Sequence, residues 1–254
     1  MLSEHYGPLE EQLGDLYLPA VARPPIVCLL HGGFWRMPYG REQMTAVAAD
    51  LAERGFAVWN LEYRRLGARG GGWPGTFDDV VAGVAHLEKV AARGVGLDLR
   101  RLTVAGHSAG GQLALWAGGR GVDESPPSTG KRVRIAAVAA LAPIADLERA
   151  HDLQVGGTAI AELLAGTPQS ARTTYRMASP RQLLPLGIPQ LLLHGTADDV
   201  VPIDISREYA RAARLAGDDV ELRELDGSGH MEYLDPSSAA HDALCRWLER
   251  MTAE

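Results

Sequence analysis

The chain reads as an α/β protein with a mostly parallel central sheet and helices on both faces. Three observations predict this. Strand-like apolar runs alternate with stretches of helical spacing along most of the sequence, the pattern of a parallel sheet covered on both sides. The 254 residues suit a single α/β core. At 46% hydrophobic and 22% charged residues, the composition supports a large core without metals or disulfides.

Residues 11–18 suit an edge strand or hairpin arm, and the apolar run 26–30 a core strand. Residues 42–53 have helical spacing, with Met44, Val47, Ala48 and Leu51 on one face, and 56–61 return to strand, which completes a β-α-β unit. Gly67 to Pro74 form the plainest loop; with no G-x-x-x-x-G-K pattern, its glycines do not suggest a phosphate cradle. Thr76 and Asp79 offer a capping box for a helix over about 77–92. Strand 102–105 is followed by a helix that includes 112–117, and residues 121–131, with Pro126-Pro127, suit an exposed, mobile loop. After strand 135–141, residues 144–186 are too long for an ordinary connection. They are expected to form a small cap or lid with short helices such as 160–164, inserted into a single domain spanning 1–254. Strand 190–193, a helix beginning near Ile203, strand 221–225 and a helix over 237–251 complete the chain.

Two short motifs carry chemistry. Gly106-His107-Ser108-Ala109-Gly110 has the form G-x-S-x-G between a strand and a helix, the context of a nucleophile elbow. A tight turn lifts a serine hydroxyl towards a base and a carbonyl carbon, and flanking glycines let the backbone turn that sharply. His31-Gly32-Gly33-Phe34-Trp35 follows the strand 26–30, where such a site takes part of its oxyanion hole. The N–H groups of Gly33, Phe34 and Ala109 are the candidate oxyanion donors.

A serine nucleophile needs a histidine base and a carboxylate to fix its tautomer, in the chain order serine, acid, histidine. Of the histidines after Ser108, His230 lies in the loop Asp226-Gly227-Ser228-Gly229-His230 after a strand and is the candidate base. His241 falls on a helix as a surface or packing residue, His151 lies in an irregular segment, and His194 ends a strand where it would brace the next loop. His107 is set aside because neighbours on a sharp turn point different ways. Asp198, after strand 190–193, is the first choice of acid, with Asp199 and Asp226 as alternatives. Trp35, Trp73 and Tyr175, with Phe34, are candidates to line a substrate pocket.

The net charge of −7 gives no reason to expect nucleic acid or an anionic membrane as partner. Cys28 and Cys245 read as buried apolar groups, which suits a reducing cytoplasm; the N-terminus lacks signal-peptide character, and no apolar stretch is long enough to cross a bilayer. The histidines are scattered with no H-E-x-x-H pattern, so no metal is expected, and acyl transfer through a triad needs no organic cofactor.

With these motifs the chain resembles the α/β-hydrolase superfamily from about Asp15 to Met251, and within it carboxylesterase and lipase-like members. The resemblance implies Ser108, Asp198 and His230 as triad, Gly33, Phe34 and Ala109 as oxyanion donors, and a small-molecule ester or amide as substrate. Phe34 stands where the hormone-sensitive-lipase group has a third glycine. The His-Gly-Gly-Phe-Trp and G-H-S-A-G segments are also similar to aryl formamidases that open N-formylkynurenine, and the elbow and acid loop to the catalytic domain of prolyl-oligopeptidase-like peptidases. A carboxylesterase is the first expectation, an aryl formamidase the second, and a non-catalytic small-molecule binding protein on the same fold the third. The oligomeric state is left open.

Overall fold

A computed structural model describes residues 1–120 and 133–253; the loop expected at 121–131 lies outside the described residues. Eight strands form one sheet in the order β1-β2-β4-β3-β5-β6-β7-β8. They are β1 (Leu2–His5), β2 (Leu13–Tyr17), β3 (Ile26–Leu30), β4 (Ala57–Leu61), β5 (Leu102–His107), β6 (Ile135–Leu141), β7 (Gln190–Gly195) and β8 (Val220–Leu225). β1 and β2 form an antiparallel hairpin, with β2 antiparallel to β4, and every pairing from β4 to β8 is parallel. The predicted edge arm at 11–18 is thus β2. Its partner β1 was not foreseen, because four mostly exposed residues give no alternation to read.

The helices are α1 (Thr45–Glu53), α2 (Gly75–Ala92), α3 (Ala109–Arg120), α4 (Leu147–Asp152), α5 (Ala159–Leu163), α6 (Arg172–Ala178), α7 (Asp204–Leu215) and α8 (Ala239–Thr252). Successive strand residues point to opposite faces, and β3 shows the result. Ile26, Cys28 and Leu30 join a core with α2, α3 and α7, while Val27 and Leu29 join a second core with α1 and α8. Both cysteines are free and buried.

The capping box expected at Thr76 and Asp79 does not form. α2 begins at Gly75 after Pro74 with no side-chain cap. Thr76 Oγ1 instead donates to the Arg64 carbonyl, and Asp79 binds the Arg64 guanidinium and Gln12. A buried carboxylate with a fixed guanidinium on it is a stronger arrangement than a helix-end hydrogen bond, so these side chains hold the 64–72 loop rather than the helix end.

Between β6 and β7 stand α4, α5, α6 and a 3₁₀ turn at Pro180–Leu183. Asp146 caps α4 by accepting from Glu148 and Arg149 N–H. Gln112 and Trp116 of α3 donate to the carbonyls of Ala178 and Met177, each at 2.9 Å, and Trp73 N–H donates to Leu163 O at 2.7 Å. The segment thus lies on α3 and the loop before α2. Among the described residues, no helix is long and apolar enough to cross a membrane.

Candidate active site

The loops after β3, β5, β7 and β8 all leave the sheet at the carboxyl ends of parallel strands, the side where sites of such folds gather. Ser108 occupies the turn between β5 and α3 with φ of 57°, a left-handed conformation that non-glycine residues adopt at a cost. Its N–H donates to Leu141 O at the end of β6 at 2.8 Å, so the sheet holds the turn in that conformation. The two motif glycines answer to close approach. A Cβ on Gly106 would sit 2.2 Å from Gly110 O, and one on Gly110 would sit 2.1 Å from Leu30 O. Any side chain at either position would push α3 off the strands that carry it.

His230 Nε2 lies 3.0 Å from Ser108 Oγ, and His230 Nδ1 lies 2.7 Å from Asp198 Oδ2. The Nδ1–H donates to the carboxylate, which leaves the Nε2 lone pair to accept from the serine hydroxyl. The side chain of Asp198 is fully buried. Its Oδ1 accepts from the N–H groups of Val200 and Val201 at 2.9 and 2.8 Å, and Oδ2 is shared by His230 and, at 3.3 Å, His194 Nε2. Burial opposes the charge, but the hydrogen bonds from His194, His230 and Val201 outweigh it and hold this carboxyl well below the usual carboxylate range. The alternatives lie elsewhere: Asp199 is exposed, and Asp226 is exposed and accepts from Thr196 Oγ1. His194 braces the acid loop as expected, its Nε2–H also donating to Val201 O at 2.9 Å while Nδ1 accepts from Ser206 Oγ at 2.7 Å. The acid and base loops are joined directly by Ala197 N–H donating to Ser228 O at 3.0 Å.

The candidate oxyanion donors are backbone groups. Gly33, Phe34 and Trp35 have φ of 100°, 52° and 55°, three successive left-handed residues. Among the described residues, no protein acceptor takes the N–H of Gly33, Phe34 or Ala109 outside regular helix and strand pairing. The preceding histidine fixes the run. His31 is fully buried, with Nδ1 2.8 Å from Gly32 O and Nε2 2.8 Å from Glu62 Oε1, and its ring stacks on Tyr63 at 4.3 Å. Gly32 C=O and Gly33 N–H belong to one planar trans peptide and point in opposite directions. Gripping the carbonyl therefore aims the N–H. Glu62 is itself tied down by the N–H groups of Arg41 and Tyr63 at 3.0 and 2.9 Å, and its hydrogen bond from His31 holds its carboxyl below the usual range against the opposing effect of burial. Sequence reasoning missed this pair. The signal was a charged residue at the end of an apolar strand.

The aromatic candidates separate. Trp35 and Tyr175 have no exposed surface: the Trp35 indole donates to Gln112 Oε1 at 3.1 Å, and the Tyr175 hydroxyl donates to Gly166 O at 3.3 Å. Both are packing residues in this conformation, which corrects their expected place in a pocket wall. Trp73 is half-buried with its ring edge-on to Phe77, and Phe34 is half-buried against Gly156, where a Cβ would come within 2.4 Å of the Phe34 ring.

Among the described residues, one group has metal-ligand chemistry: Asp50 of α1 with His241 and Cys245 of α8. His241 Nε2 lies 2.6 Å from Asp50 Oδ2, a hydrogen bond and shorter than the roughly 3.3 Å between two ligands of one tetrahedral zinc. Arg54 holds the same oxygen. The group is a hydrogen-bonded bridge between two helices, and it makes His241 a packing residue, one of the two places expected for it.

A family model described as BD-FAE matches residues 14–212. The chain belongs to the BD-FAE family. Its similarity to "Esterase LipC" of Mycobacterium tuberculosis is 28% identity over 214 residues, covering 81% of this chain and 52% of that protein. A protein of Oryza sativa described as "Probable isoprenylcysteine alpha-carbonyl methylesterase ICME" is 26% identical over 262 residues, covering 94% of this chain and 60% of that one. The chain thus spans about half to three fifths of the length of these curated relatives. Among solved structures, a truncated carbohydrate esterase from gut microbiota superposes with a TM-score of 0.86 at 21% identity, covering 100% of this chain and 97% of that one. That likeness identifies the fold as the α/β-hydrolase type expected from the motifs.

Proposed function

We propose that this BD-FAE family member is a serine carboxylesterase that hydrolyses small esters through an acyl-enzyme. One observation carries the reading: the unbroken hydrogen-bond chain from Ser108 Oγ through His230 to Asp198. In the proposed cycle His230 Nε2 takes the hydroxyl proton as Ser108 Oγ attacks the ester carbonyl. The N–H groups of Gly33, Phe34 and Ala109 receive the developing oxyanion. Asp198 holds the imidazole tautomer and stabilises the imidazolium. The leaving alcohol departs with the proton from His230, and water repeats the sequence on the acyl-enzyme. The esterase names of both curated relatives support the same reaction class. Residues 144–186 act as the cap in this reading, with Phe34 and Trp73 offering partly exposed aromatic surface beside it.

The test is a kinetic comparison of wild type and Ser108→Ala on p-nitrophenyl esters of increasing acyl length and on N-formylkynurenine. Wild type is expected to favour the esters, with kcat/KM changing gradually along the series, since one methylene in an apolar pocket is worth only roughly 1–3 kcal/mol. Ser108→Ala is expected to lose on the order of 10⁴-fold or more. Near-normal turnover by Ser108→Ala would remove Ser108 from the reaction. A clear preference for N-formylkynurenine would replace the esterase by a formamidase.

A further inference from the structure

His107, the residue before the candidate nucleophile, is a buried histidine for which the proposed reaction has no use. The residue is 2% exposed. Nε2 lies 2.8 Å from the main-chain carbonyl oxygen of His230, across 123 positions of sequence. A carbonyl can only accept, so Nε2 carries the hydrogen and Nδ1 is the unprotonated nitrogen. That Nδ1 is a buried atom with no hydrogen-bond partner. It faces the oxyanion loop, where a Cβ on Gly32 would stand 3.1 Å from it and 3.2 Å from Ser108 Cβ. The ring face lies 4.7 Å from the His230 ring and 5.7 Å from that of Tyr233. One side chain therefore touches the base loop by hydrogen bond, the base ring by packing and the oxyanion loop by occupied volume, while its own backbone leads into Ser108.

We infer that His107 is a positioning residue for the base: through its Nε2–H it clamps the His230 carbonyl and so fixes where the His230 ring stands over Ser108 Oγ. The inference rests on the proposed function in taking His230 as the base. The geometry explains why this position holds a histidine. A lysine or arginine would bring a fixed charge against the base, which itself becomes cationic in the reaction. An aliphatic residue would leave a buried carbonyl without a donor, which costs more than the bond contributes when made. Burial and the neighbouring His230 push the His107 pKa down to about 3, so the ring stays neutral wherever the enzyme would work. The unpaired Nδ1 fits the same requirement. A proton there would find no acceptor.

Three substitutions separate the clamp from mere packing. His107→Gln places an amide N–H near the former Nε2, His107→Asn places one near Nδ1 instead, and His107→Phe keeps the ring without any donor. The clamp predicts that Gln stays close to wild type in kcat. Asn and Phe should each lose roughly tenfold to a hundredfold in kcat, the cost of an unpaired buried carbonyl felt at the base, with KM nearly unchanged. The rate of Ser108 labelling by a fluorophosphonate should fall in parallel. A further reading needs no substrate: the proton shared by His230 Nδ1 and Asp198 should give a downfield NMR signal, slow to exchange, in wild type and Gln but broadened or lost in Asn and Phe. Failure of the esterase reading would appear as a wild-type protein inactive on esters, with the NMR ranking intact. Failure of the clamp would appear as Gln impaired as much as Phe, or as Asn and Phe retaining kcat, labelling rate and the protected proton.

Discussion

On the proposed base side of Ser108, side chains meet one another directly: Oγ faces Nε2 of His230 at 3.0 Å, and Nδ1 faces Asp198 at 2.7 Å. On the proposed oxyanion side the candidate groups are backbone N–H. The left-handed run Gly33–Trp35 contains the candidate donors Gly33 and Phe34, and the grip comes from behind, where His31, anchored on Glu62, holds Gly32 O of the peptide that carries the Gly33 N–H. The difference is one of leverage. A side chain on the base side can be exchanged and its loss read at one atom, whereas the oxyanion side depends on a conformation, and any change to the conformation moves every donor in it.

The largest break is expected at the acid. Asp198→Asn should lower kcat/KM by about 10⁴-fold, because an amide can hold the wrong tautomer of the imidazole. Asp199→Asn, at an exposed position, should stay within about twofold. A reversed ranking in acylation rate, with both variants folded by circular dichroism, would reassign the acid.

Next comes the oxyanion run. Gly33→Ala would place a Cβ 2.4 Å from Tyr39 Cβ at a φ of 100° that alanine does not readily adopt. Loss of one aimed donor corresponds to roughly 10²- to 10³-fold in kcat. The same variant should bind a short alkyl boronic acid, whose tetrahedral anion needs those donors, more weakly by a similar factor while KM for the ester changes little. Equal losses in KM and boronate affinity would mean a blocked pocket instead of a lost donor.

A smaller effect separates the two sides by pH. His107 is neutral in the fold down to about pH 3 but takes a proton in the unfolded chain below about pH 6.5. The unfolded state therefore binds the extra proton between those values, and stability falls there with acidification, by up to about 1.4 kcal/mol per pH unit. Asp198 and Glu62, both with lowered pKa, contribute stability that is full above their unfolded values and is lost only at lower pH, as the folded forms protonate. Urea unfolding of wild type and His107→Gln between pH 7 and pH 4 should show the slope flattened in the variant near pH 5 to 6. Parallel slopes would contradict the neutral buried state of His107.

The smallest effect belongs to the contact with the proposed cap. Arg36, just beyond the oxyanion run, pairs with Glu162 at 2.8 Å, with side chains 34% and 48% exposed. Solvent screens such a pair, so Arg36→Ala should change kcat by less than about twofold. A larger loss would mean that the cap and the oxyanion loop are coupled more tightly than this contact implies.

Much of the site was readable because its signals are local. The strand, glycines and serine of 102–110 define their own turn, and the loops carrying Asp198 and His230 each follow a recognisable strand. What stayed hidden depends on partners distant in sequence. Trp35 looked like pocket wall until Gln112 of α3 took its indole N–H. Thr76 and Asp79 looked like a helix cap until Arg64 and Gln12 competed for them. His107 is set aside from the candidate triad on turn geometry, and nothing local in the sequence could show the His230 carbonyl that accepts from it.

The claim on which all of this stands is that Ser108 is the nucleophile, and the most direct measurement is intact-mass analysis and peptide mapping after reaction with a fluorophosphonate. One adduct per chain is expected, on Ser108, with ester hydrolysis lost in proportion to labelling and no labelling of Ser108→Ala or of His230→Ala on the same time scale. An ester-hydrolysing protein that takes up no adduct, or takes it up on another residue, would contradict it.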